Sequence, residues 1–164
     1  MKLRILSIFA AAALLAACET APDSSASSQG AGASTAGQST ETTAMSESSP
    51  EWFATNVGDR VFFGFDKYDL SGEARRTLEL QAAWLKKYPQ YRVVVEGHAD
   101  ERGTREYNLA LGERRANSAK DYLIALGIDP SRLETISYGK ERPVAVGHDE
   151  ESWAKNRRGV SVIR

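Results

Sequence analysis

A chain of 164 residues sets a prior of one domain, and 41% hydrophobic with 26% charged residues fits a globular protein rather than a wholly disordered or fibrous one. The 21 basic and 22 acidic residues nearly balance, so the polybasic surface that nucleic-acid binding requires is missing. One cysteine excludes an intramolecular disulfide, and two histidines leave too few ligands for an ordinary zinc site.

Taken in chain order, Met1 to Arg4 is short and basic, and Ile5 to Ala17 is uncharged and mostly apolar. That layout predicts a secretory signal peptide over 1–17, too short for a spanning helix of about 20 residues. It ends Leu15-Ala16-Ala17-Cys18, which resembles a bacterial lipobox. In such signals the cysteine is lipidated and becomes the mature N-terminus, which gives the lone Cys18 a purpose. Several acyl chains on one residue give stable anchoring where a single chain does not. Glu19 rather than Asp follows, which by similarity to lipoprotein sorting rules favours the outer membrane, facing the periplasm. Loss of Lys2 and Arg4 with the signal takes the formal net charge from −1 to about −3.

Residues 18–51 are dominated by Ser, Thr, Ala and Gly, with no Lys or Arg and no branched aliphatic residue. Such a segment buries too little apolar surface to offset its ordering entropy, so it is expected to be a disordered tether. Its average span would be roughly 30 Å, and fully extended it reaches on the order of 100 Å.

Composition changes at Trp52, and 52–164 is expected to be the folded domain. Val61 to Phe65 reads as a strand. Ser71 can cap a helix from Gly72 to Tyr88, with Leu78, Ala82 and Leu85 at helical spacing and Pro89 as the stop. Tyr91 to Glu96 is a second strand, followed by a loop from His98 to Gly103. Thr104 caps a long helix to Leu126, with Leu109, Ala116, Ala119, Leu123 and Leu126 on the face turned to the core and Gly127 ending it. Asp129-Pro130 opens a brief turn, Leu133 to Tyr138 is a third strand, Glu150 to Arg158 a short helix, and Val160 to Ile163 the last strand. The order β-α-β-α-β-α-β predicts an α/β sandwich, with helices packed on one face of a mixed four-stranded sheet.

Chemistry concentrates where the second strand ends, in Glu96-Gly97-His98-Ala99-Asp100-Glu101-Arg102-Gly103. Asp100 precedes Thr104 closely enough to face the N-terminus of the long helix, where a carboxylate is favoured. On that helix Asn108, Leu111 and Arg115 share a face. If the loop folds over the helix start, Asp100 and Arg115 frame one cleft, a pairing suited to an ammonium and a carboxylate on one ligand. The simpler alternative is a cap and a structural ion pair. His98 beside Asp100 is expected to be a hydrogen-bonded structural residue rather than a metal ligand. Asp66 and Asp69 raise paired-carboxylate hydrolysis, against which stands a polar loop whose Asp residues cap backbone groups. Asn156-Arg157-Arg158 puts cations at a helix end, where the dipole favours them. With no nucleophile elbow or phosphate loop, little supports an enzyme, and no cofactor is expected.

The run from Glu96 to Thr104 resembles the signature of the OmpA-like peptidoglycan-binding domain. Asn108-Leu109-Ala110-Leu111-Gly112-Glu113-Arg114-Arg115-Ala116-Asn117 continues it, as do Ser137-Tyr138-Gly139-Lys140-Glu141-Arg142-Pro143 and Asn156-Arg157-Arg158. Within that family Phe63-Gly64-Phe65-Asp66-Lys67-Tyr68-Asp69, the Ala99-Asp100-Glu101-Arg102-Gly103 loop and the lipobox-plus-tether layout are similar to the peptidoglycan-associated lipoproteins. The resemblance implies noncovalent binding of diaminopimelate in peptidoglycan stem peptides. Asp100 and Arg115 would be the charged ligands, and Phe65, Asp66, Tyr68, Ala99 and Leu111 would line the pocket. Asn108 would hold the loop. It further implies the Tol system, with a TolB-like periplasmic partner on an overlapping surface, and a role in envelope constriction at division. The alternative is a wall-binding lipoprotein of the same family outside the Tol system.

Overall fold

The computed structural model describes residues 45–164. The expected signal peptide, lipobox and Cys18 lie outside the described residues, as does most of the expected tether.

Ser49 accepts a hydrogen bond from the Trp52 amide and caps a short helix, α1 (Pro50–Trp52), with Pro50 at its first turn. The chain continues as a π-helical turn, Phe53–Gly58. Neither element was expected. Phe53 is the reason for them, since it is buried against the Trp84 ring and anchors a segment with little apolar periodicity. Residues ahead of Trp52 are engaged as well. The Trp84 indole donates to the Glu47 carbonyl, the Tyr91 hydroxyl to the Ser48 carbonyl, and Lys87 pairs with Glu47 at 2.7 Å. The structured body therefore begins ahead of Trp52.

Four strands follow: β1 (Arg60–Phe62), β2 (Val93–His98), β3 (Leu133–Gly139) and β4 (Arg158–Ile163). Their order in the sheet is β1-β4-β2-β3, with β2 and β3 parallel and β4 antiparallel to both its neighbours. Parallel β2 and β3 need a crossover, which is α3 (Arg105–Ala125). The remaining helices are α2 (Gly72–Lys87), capped by Ser71, and α4 (Glu150–Asn156), capped by Asp149. A 3₁₀ turn, Pro130–Arg132, leads into β3. The α/β architecture with helices on a mixed four-stranded sheet is as expected. The first strand is shorter than expected: Phe63 turns into the core, and Phe65 lines the site described below.

Alternation along the strands turns Val61, Val93, Val95 and Leu133 towards α2 and α3, where Leu78, Leu85, Ala116, Ala119 and Leu123 complete the core. Leu109 is not in that core. It is 45% exposed, because the first turn of α3 meets the chain through backbone, with Gly139 set tightly over Asn108 and Leu109. One contact sets how near α3 comes to the sheet. A Cβ built on Gly97 of β2 would lie 1.8 Å from the Gly112 carbonyl oxygen, and one on Gly112 would lie 2.4 Å from the Ser137 hydroxyl. Helix and sheet thus touch backbone to backbone, which seats Leu111 and Arg115 beside the end of β2.

Candidate functional site

At that end of the sheet lies a cleft of about 180 Å³, lined by Phe65, Asp66, Asp100, Arg102, Gly103, Tyr107, Asn108, Leu111 and Arg115. Its parts come from the segment after β1, the loop after β2 and the first three turns of α3.

Arg115 forms the floor and is 0% exposed. Nε donates to the Lys67 carbonyl at 2.8 Å, and the two terminal nitrogens donate to the His98 carbonyl at 2.8 Å and the Gly64 carbonyl at 3.1 Å. A guanidinium has five N–H groups, so these bonds leave two, one on each terminal nitrogen. A carboxylate can accept from two such groups at once where they point the same way. Burial draws the Arg115 pKa down to about 10, offset in part by the charge of Asp100. The group stays cationic at neutral pH.

Asp100 lines the same cleft and is also buried. Oδ1 accepts from the Arg102 amide at 3.1 Å and Arg102 Nε at 3.2 Å, and Oδ2 from an Arg102 terminal nitrogen at 2.6 Å and Arg157 at 3.4 Å. Burial alone would raise its pKa, but the bonds from Arg102, with a further one from Arg157, outweigh it and hold the carboxyl below its usual value. Asp100 lines the cleft beside Gly103, Tyr107 and Asn108 but accepts no hydrogen bond from the first turn of α3. Thr104 caps that helix through the Tyr107 amide, and the Asp100 charge is answered by arginines instead.

The other candidates divide. Phe65, Asp66 and Leu111 line the same cleft as Asp100 and Arg115. Asp66 adopts a left-handed conformation, φ 57°, and accepts from the Tyr107 hydroxyl. Tyr68 stands outside the lining, half exposed, with the Arg114 guanidinium 5.7 Å from its ring. Ala99 is buried and borders a separate hollow with Glu101, Lys140 and Val146. Asn108 holds the loop, its amide donating to the Arg102 carbonyl at 2.8 Å.

Sequence reasoning missed Arg102 and misplaced Arg157 and Arg158. Arg102 lies between the Phe65 and Trp153 rings, 4.1 and 4.0 Å from their centroids. Arg157 is buried rather than a helix-end cation, donating to the Phe63 carbonyl, Asp100 and Glu150. Arg158 is likewise buried and reaches the Arg142 carbonyl, and Asn156 clasps the backbone of Val144 and Ala145. The signal lay in the Asn156-Arg157-Arg158 run, but a helix-end position explained it without tertiary contacts. His98 also departs from expectation. It is buried with neither ring nitrogen hydrogen-bonded, and the nearest carboxylate, Glu96, is 3.6 Å away. Burial, then Arg158 and Arg142, lowers its pKa to about 4, so it is neutral at pH 7. Among the described residues no group of His, Cys, Asp and Glu side chains is arranged to hold a metal, and no helix is long and apolar enough to cross a membrane.

Residues 62–157 match the model of the OmpA family. The chain is 53% identical over 134 residues to a peptidoglycan-associated lipoprotein of Mesorhizobium japonicum, covering 82% of this chain and 73% of that one. A peptidoglycan-associated lipoprotein of Rhizobium meliloti is 52% identical, over 82% of this chain and 70% of its own. Among solved structures, the peptidoglycan-associated lipoprotein from Burkholderia pseudomallei superposes with a TM-score of 0.67 at 42% identity, covering 71% of this chain and 100% of that one.

Proposed function

Because the chain belongs to the OmpA family, and within it to the peptidoglycan-associated lipoproteins, we propose that it binds the diaminopimelate of peptidoglycan stem peptides in the Asp100–Arg115 cleft and ties the outer membrane to the wall. The observation that carries this reading is a buried guanidinium with two N–H groups to spare, lining the same cleft as a buried carboxylate. The far end of diaminopimelate bears a carboxylate and an ammonium on one carbon. Arg115 would take the first and Asp100 the second, with Leu111 and Phe65 against the aliphatic stem.

The anchor in this reading is lipid on Cys18, in the outer membrane, with the folded body in the periplasm. The partner is a TolB-like protein that competes for the same loop, which makes wall binding and Tol engagement alternate during constriction. No reaction is catalysed, and incubation with sacculi should release no muropeptides.

The test is co-sedimentation of residues 45–164, which lie within one compact unit, with purified sacculi. Wild type should pellet. Asp100→Asn, nearly equal in shape, should lose at least tenfold in affinity while circular dichroism stays native. Equal pelleting of both proteins, or of neither, would sink the assignment.

A further inference from the structure

A carboxylate offers about four acceptor sites, and on Asp100 all are taken. Arg102 supplies three of the donors and Arg157 the fourth. A ligand ammonium meets no vacant lone pair there. The bonds differ in how firmly they are held. Arg157 is buried and fixed by Phe63 and Glu150 as well. The Arg102 amide belongs to the loop backbone. The Arg102 guanidinium is the one of the three that reaches solvent, its side chain being 31% exposed, stacked between two aromatic faces and paired loosely with Glu150.

We infer that the Arg102 guanidinium is a built-in occupant of the ammonium subsite, which a cationic ligand head displaces from Asp100. This rests on the reading of the cleft given above and adds the residue that sets its selectivity. A ligand with only a carboxylate cannot replace a guanidinium on Asp100, so the subsite admits only ligands that bring their own cation. Displacement exchanges one charge-assisted pair for another, which lowers net affinity but leaves no buried charge unpaired. The displaced side chain has somewhere to go, because Glu150, 3.8 Å from it and mostly exposed, lies towards solvent.

The experiment titrates the full mature chain in detergent micelles with the tripeptide alanyl-glutamyl-diaminopimelate, by calorimetry. Arg102→Met keeps an unbranched chain between the rings and removes the competing charge. It should bind about tenfold more tightly than wild type. Unchanged or weaker binding by a folded Arg102→Met overturns the inference, weaker binding meaning that Arg102 holds the ligand itself. Should wild type not bind at all, the functional reading fails and this inference with it. If Arg102→Met does not fold, Trp153 emission decides, taken as wild type minus Trp153→Phe. Removal of the guanidinium from that ring on saturation should change it, and an unchanged signal overturns displacement.

Discussion

Arg115 has two duties that a single substitution cannot separate cleanly. Three backbone carbonyls depend on it, from Gly64, Lys67 and His98. Leaving them buried without a donor costs about 1–3 kcal/mol each where water cannot enter. We expect Arg115→Ala to lower unfolding free energy by about 3 kcal/mol or more in denaturant titration, so its loss of wall binding would prove little. For that reason Asp100→Asn is the sharper probe. His98 gives a second prediction at this scale. Its folded pKa, about 4, lies below the ordinary 6.5, so only the unfolded chain takes up a proton between those values. This contribution is complete above pH 6.5 and falls as pH drops towards 4. Relative to His98→Phe, wild type should lose about 2 kcal/mol of stability from pH 7 to pH 5 by linkage. An identical pH dependence in the two proteins would show that His98 titrates alike in both states. Asp100 and Arg115 were legible because each is a charged residue at helical or loop spacing beside a predicted strand end. The Arg102 pairing and the burial of Arg157 were not, since they depend on where Trp153, Glu150 and Phe63 meet in space.

Between elements, the contact that governs the cleft is Gly97 against Gly112. Gly97→Ala would push a methyl group to 1.8 Å from a carbonyl oxygen of α3, and neither backbone can yield without moving the helix. Overpacking of this kind costs about 1–3 kcal/mol. Gly112→Ala meets the Ser137 hydroxyl at 2.4 Å and the Gly97 carbonyl oxygen at 2.8 Å, a less severe backbone overlap than 1.8 Å, and should cost less. Thermal melts of both variants beside wild type check the order. Helices α2 and α3 and the strands were readable because their caps, stops and apolar spacing agree, with Ser71 and Thr104 capping as expected. The opening helical segment was not readable. Its order comes from Phe53 and from hydrogen bonds by Trp84 and Tyr91, residues far along the chain.

For the whole molecule, those same contacts move the edge of the body into the Ser- and Thr-rich stretch. Composition marks where apolar residues begin, but the Glu47 and Ser48 carbonyls need no apolar side chain to be held. Removing residues 45–49 should cost about 2–4 kcal/mol, through two lost hydrogen bonds and the Ser49 cap. Comparing denaturation of residues 45–164 and 50–164 measures it, and equal midpoints would mean that the docked segment adds nothing.

The point of entry of the chain and the cleft lie at opposite ends of the sheet, because Tyr91 precedes β2 and His98 ends it. Strand β1 runs the same way as β2, both being antiparallel to β4, and it delivers Gly64 and Lys67 directly to Arg115. Under the proposed function, a pull on an anchored N-terminus against a grip at the cleft would travel along β1 as tension and load its ladder with β4 in shear, so the bonds would resist together rather than peel one by one. It would pass to a bound ligand through carbonyls clasped by the Arg115 guanidinium. The hydrophobic core stands beside this line of force rather than in it.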